Sequence, residues 1–179
     1  MENLKKSTEK LCSFYVSEWH LVTMILPYIN RELNEKANIT TVLEKNIEEN
    51  IRTLISKLNL KNEREILEID WKANQGIKYS ELDKKLSKMI KKENHINIIF
   101  ISGSKNYIDL ANKNVDKWIS KNVDKLQQRK LKIINCYEVT EFNSSIHEIL
   151  NAHDKILNTA GEKFIYEVFD GYSEAKEMC

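Results

Sequence analysis

The chain has 179 residues, a formal net charge of +1, 41% hydrophobic and 31% charged residues. That is the size and balance of one globular domain, residues 1–179, able to bury a core without disulfide or metal staples. Near-neutral charge excludes a strong global pull toward nucleic acid or anionic lipid. No apolar run approaches the roughly 20 residues that span a bilayer. The opening MENLKKSTEK also lacks the apolar core of a secretory signal. The expectation is a cytoplasmic protein with no membrane and no nucleic acid among its partners.

In chain order, Leu11 to Val16 (LCSFYV) reads as a strand and Ser17 as a helix N-cap. The helix that follows carries Leu21, Met24, Ile25, Tyr28, Ile29 and Leu33 at helical spacing. Pro27 lies inside it and is expected to kink or split it, having no N–H and clashing with the preceding turn. Ile39 to Leu43 (ITTVL) is β-branched and reads as a second strand. Ile47, Ile51, Leu54, Ile55 and Leu58 form one helical stripe. Glu65 to Asp70 (EILEID) alternates like a third strand. Tyr79 to Lys91 is helical, with Leu82, Leu86, Met89 and Ile90 inward.

Ile96 to Ser102 (INIIFIS) is the most apolar strand and is expected at the centre of a sheet. A helix then carries Tyr107, Ile108, Ala111, Val115, Trp118 and Ile119 inward. Leu131 to Tyr137 (LKIINCY) is a fifth strand. Asn143 or Ser144 is expected to cap a helix with Ile146, Ile149, Leu150, His153 and Leu157 inward, and Phe164 to Phe169 (FIYEVF) closes the chain as a strand. Such alternation implies a single-domain α/β fold, a mostly parallel sheet of about six strands with helices on both faces.

Sheets of this kind place ligand sites at the carboxyl ends of their strands. Those ends supply Ser17, Glu18 and His20; Glu44 and Lys45; Asp70, Trp71 and Lys72; Ser102, Gly103, Ser104 and Lys105; and Tyr137 and Glu138. A phosphate-binding loop needs several glycines, whose N–H groups wrap the anion, and a lysine. The first strand-to-helix turn, Tyr15-Val16-Ser17-Glu18-Trp19-His20, has neither, and offers a carboxylate instead. Gly103-Ser104-Lys105 is the one candidate anion site, a small turn opening a helix.

Other chemistry is thin. His20, His95, His147 and His153 contain no i, i+4 pair, and Cys12, Cys136 and Cys179 contain no CxxC, so neither a metal site nor a disulfide framework is expected. There is no GxSxG, nothing marks Cys136 as a nucleophile, and no catalytic residue is assigned. The lysines of 84–92 and 121–132 lack the interleaved aromatics of a nucleic-acid surface and read as solvated helix faces. Trp71 follows a predicted strand and is the tryptophan placed to line a pocket.

Two stretches together carry a resemblance. One is Phe14-Tyr15 with Ser17-Glu18, then Leu26-Pro27-Tyr28-Ile29 and Leu33. The other is Cys136-Tyr137-Glu138, then Phe142, Ile149-Leu150 and His153-Asp154. Their order and spacing resemble the MEDS sensory domains, over about Leu11 to Ile156. Glu138 stands where that pattern has Asp, and 62–93 has no counterpart in it. The resemblance implies a RecA/KaiC-like core with a decayed phosphate-binding loop, acting as a ligand-sensing input module. By position it implies Tyr15, Glu18, Tyr28, Tyr137 and His153 as family-matching polar residues, at a pocket rim or in a structural network.

The expected function is a regulatory module rather than an enzyme, binding a small molecule, a protein partner or itself, with no cofactor. Two alternatives stand beside it. One is a RecA-like nucleotide-binding protein with Ser104 and Lys105 on phosphate. The other is an oligomeric scaffold that uses the lysine-rich helices.

Overall fold

The computed structural model describes residues 8–74, 77–139 and 142–169, and for 142–145 the backbone alone. Six strands form one sheet: β1 (Thr8–Tyr15), β2 (Asn38–Leu43), β3 (Ile96–Gly103), β4 (Lys130–Glu138), β5 (Lys155–Asn158) and β6 (Gly161–Phe164). Their order is β2-β3-β4-β1-β5-β6. All neighbours are parallel except the β5-β6 hairpin. The expected single α/β domain with a mostly parallel sheet is therefore observed, and it is consistent with a RecA- or Rossmann-like fold.

The helices are α1 (Glu18–Asn34), α2 (Glu48–Ile55), α3 (Glu63–Glu68), α4 (Tyr79–Ile90), α5 (Lys105–Lys121), α6 (Val123–Leu126), α7 (Phe142–Asn151) and α8 (Ile165–Val168). They divide between the two faces. Leu82 and Leu86 of α4 and Ile108, Ala111, Val115 and Trp118 of α5 pack on Ile99, Ile101 and Ile133. On the other face α1, Ile51 of α2 and Ile66 of α3 pack on Ile98, Phe100 and Ile134. Strand β3 thus buries successive residues on alternate faces, which is why its sequence is an unbroken apolar run. It is an interior strand, flanked by β2 and β4.

Five details depart from the sequence reading. EILEID is not a strand: Glu63–Glu68 is helix α3. Ile66 and Ile69 are three apart, a helical spacing, and Glu63 and Glu65 sit in the first turn, where the helix dipole favours carboxylates. The strand expected over Phe164–Phe169 is not there: the closing strand β6 ends at Phe164, and Ile165–Val168 is helix α8. Leu157 lies in β5, and His153 lies in the turn after α7 rather than on that helix. Asn143 and Ser144 lie inside α7 rather than before it.

Pro27 does not divide α1, which runs unbroken from Glu18 to Asn34. Pro27 and Thr23, whose carbonyl loses its helical partner, are both exposed. Water can satisfy that carbonyl, while the opposite stripe of Leu21, Ile25, Tyr28 and Ile29 is held by the core.

Candidate functional site

The carboxyl ends of β1, β2, β3 and β4 lie along one edge of the sheet. Register sets Tyr15 beside Glu138, Gly103 beside Tyr137 and Leu43 beside Ser102. The residues following these strands build a polar ridge whose charges are mostly satisfied from within.

After β1, Ser17 is the N-cap of α1, its hydroxyl accepting from the His20 N–H at 3.1 Å. Such a cap contributes about 1 kcal/mol. The His20 Nδ1 accepts the Val16 N–H at 3.0 Å, so that the imidazole closes the turn. Glu18, in the first turn, reaches Lys45 Nζ at 3.5 Å. Lys45 also donates to Glu138 Oε1 at 2.7 Å, so one cation from the β2 end ties carboxylates from the β1 and β4 ends. The hydrogen bond to Glu138 holds the Lys45 ammonium above its ordinary range. Burial pushes the Tyr15 hydroxyl up strongly, and the nearby Glu138 carboxylate adds to this. Tyr15 is therefore a neutral phenol beneath the ridge.

After β3, the turn Ser102-Gly103-Ser104 opens α5. Its anion-binding capacity is already taken. Glu44 Oε1 accepts the Ser104 N–H at 2.9 Å, and Oε2 accepts its hydroxyl at 3.3 Å. A carboxylate thus sits against the positive end of α5, as a phosphate would. Gly103 exists for this contact. Its φ is +149°, and a Cβ there would lie 2.7 Å from Glu44 Cβ. Lys105 is also engaged, with Asp109 at 2.7 Å and Glu148 of α7 at 3.1 Å.

The predicted site residues thus divide. Tyr15, Ser17, Glu18, His20, Ser102, Gly103, Ser104, Lys105, Tyr137 and Glu138 all come to the carboxyl edge. Tyr137 is buried there, its hydroxyl pushed up by burial and then by Asp109. Trp71 is 2% exposed, and its indole N–H donates to the Ile66 carbonyl at 2.9 Å, so the ring belongs to the core under α3. His153 is buried in a network: its Nε2 meets Asn135 Nδ2 at 2.9 Å, and Asn112 Nδ2 donates to Asn135 Oδ1 at 2.9 Å. Its ring stands edge-on to Tyr137, centroids 5.9 Å apart.

Burial pushes the Cys136 thiol far up, which leaves it a poor nucleophile. The sequence reading placed Glu44 and Lys45 at a strand end but gave neither a role. Trp19 is 51% exposed on the first turn of α1, near Val16 at 68%. No described helix is long and apolar enough to cross a membrane. Comparison with protein-family models and with curated proteins finds no match for this chain.

Proposed function

We propose that this chain is a non-catalytic regulatory module whose carboxyl edge recognises a ligand or partner through a cationic group. The carrying observation is the Glu44 carboxylate seated on the Ser104 N–H and hydroxyl. The edge fills its own anion cradle, so a polyphosphate would have to expel a bonded carboxylate and face Glu18 and Glu138 as well. The built-in cation is more easily replaced. Lys45, 51% exposed, spans Glu18 and Glu138 at the surface. An incoming ammonium or guanidinium exchanges one charge-assisted contact for another there, and exposed Trp19 offers a ring face to the same kind of group. Displacing Lys45 frees the loop after β2 from the ends of β1 and β4, and such differential binding shifts a conformational equilibrium. The resemblance of the Phe14–Glu18 and Cys136–Glu138 stretches to MEDS sensory domains points the same way.

The test pairs a thermal-shift titration with an activity assay. Spermidine, as a model polycation, is expected to raise Tm at low salt, and the double variant Glu18→Gln/Glu138→Gln to lose the response. Phosphate release from ATP with Mg²⁺ that Glu18→Gln abolishes would overturn the reading.

A further inference from the structure

Among the described residues, the sheet has an unpaired margin on its parallel side, where strand β2 pairs only with β3. Its even-numbered residues bond inward, as the continuing Glu44 N–H does to the Ser102 carbonyl at 3.0 Å. Its odd-numbered residues turn their N–H and C=O outward. The carboxyl half of that margin is closed. The Leu43 carbonyl accepts from Asn74 N at 2.7 Å, and the Thr41 carbonyl accepts from Lys85 Nζ at 2.7 Å. The amino half is open: no described residue bonds to the outward N–H and C=O of Ile39 or to the Thr41 N–H.

A groove of about 580 Å³ runs along this open half, between α3 on one sheet face and α4 on the other. Its α3 side is floored by half-buried Leu33, Ile39 and Ile69 and rimmed by Glu65, Glu68 and Asp70. The α4 side carries Lys85, Lys88 and Lys92. Arg64 meets Glu68 at 3.6 Å, and Lys85 lies 3.7 Å from Asp70. Among the described residues lining the groove, Glu65, Lys88 and Lys92 are exposed charges outside any ion pair, left to face an occupant.

We infer that this groove receives an extended segment of a partner protein, which adds to β2 as a further strand. Successive residues of a strand point to opposite faces. The added segment therefore presents one set of side chains to the acidic α3 wall and the other to the basic α4 wall. The complement is alternation of charge: Lys or Arg toward α3, its apolar stem over Leu33 and Ile69, and Asp or Glu toward α4. A second copy of the chain is the wrong occupant. Antiparallel pairing of two β2 edges about a two-fold axis would set α3 against α3 and α4 against α4, like charge on like.

The experiment uses fluorescein-labelled octapeptides and polarisation at low salt. One alternates Lys and Glu at every position; the other, of identical composition, repeats Lys-Lys-Glu-Glu and so mixes signs on both faces. The alternating peptide is expected to bind at least about tenfold more tightly. Of the two alternate sets of amides, N-methylation of the set that faces β2 is expected to abolish binding, and of the other set to spare it. The exposed pair Glu65→Lys/Glu68→Lys is expected to weaken it by a similar factor with an unchanged circular dichroism spectrum. Adding Lys88→Glu/Lys92→Glu inverts both walls and is expected to restore it, since a one-residue slip reverses the peptide's faces. Equal affinity for the two peptides, no saturable binding, indifference to N-methylation of either alternate set, or a dimer disrupted by Glu65→Lys/Glu68→Lys would each overturn the inference. None of these outcomes bears on the carboxyl edge, so this proposal fails or stands apart from the ligand reading.

Discussion

Glu44 and Gly103 form one device. The carboxylate can sit on the Ser104 amide only because residue 103 has no Cβ and holds φ at +149°, where a side chain is strained. Gly103→Ala is therefore expected to cost about 1–3 kcal/mol, read as a lower urea midpoint with unchanged slope. Neighbouring Ser102, buried in the strand, carries no such constraint. The glycine was legible as the mark of a strand-to-helix turn. Its true reason was not, because Glu44 is 60 positions away from Ser104 and only the pairing of β2 with β3 brings them together. Lys45 and Glu138, 93 apart, have the same history.

The β5-β6 hairpin is tied to β4 and α1 by buried and half-buried charges. Lys132 of β4, 8% exposed at its side chain, donates to Glu162 of β6 at 2.6 Å and lies 3.9 Å from Glu32 of α1. Tyr28 donates to the same Glu162 oxygen at 3.0 Å. Burial pushes the Glu162 carboxyl up, but the hydrogen bond and charge of Lys132 outweigh this and hold it below its usual range. For Glu32 burial prevails over Lys132 and the carboxyl is raised. The signs are opposite. Glu162 contributes stability above the unfolded carboxylate value of about 4.3, lost as pH falls through its depressed pKa. Glu32 contributes only below that value, and its contribution is lost as pH rises through its raised pKa. At neutral pH Glu162→Gln is expected to lower Tm and Glu32→Gln to raise it, both differences fading toward acid pH. Lys132→Met, which strands the buried Glu32 and the half-buried Glu162 carboxylates, is expected to cost about 3 kcal/mol.

The hairpin also shows where element reading fails. Leu157 continues the spacing of Ile149, Leu150 and His153, so the period favoured helix. The competing signal was turn chemistry: Asn158 Oδ1 accepts the Ala160 N–H, and Gly161 has φ of +103°. For EILEID, the interleaving of three apolar with three acidic residues outweighed a spacing of three, which a window of six residues cannot resolve. The long elements carried enough turns or pleats to be read directly. The apolar run of β3 and the stripes of α1 and α5 needed no tertiary context.

Across the whole molecule, the layered α/β plan followed from alternation of periods, and the carboxyl edge followed from the plan. What that edge holds did not, since its charges are contributed by four separate strand ends and find their partners only in three dimensions. The assembled molecule offers two surfaces with different logic. The carboxyl edge is a ridge of satisfied charges with one exposed cation, and the β2 margin is a groove with opposed charged walls. The first rests on the claim that the anion position at the start of α5 is occupied from within. The most direct measurement is a ¹⁵N–¹H correlation spectrum of the protein titrated with pyrophosphate. The Ser104 amide resonance is predicted to stay in place, while Glu44→Gln lets it shift. A saturable shift of the Ser104 and Lys105 amides in the unaltered protein would contradict the account.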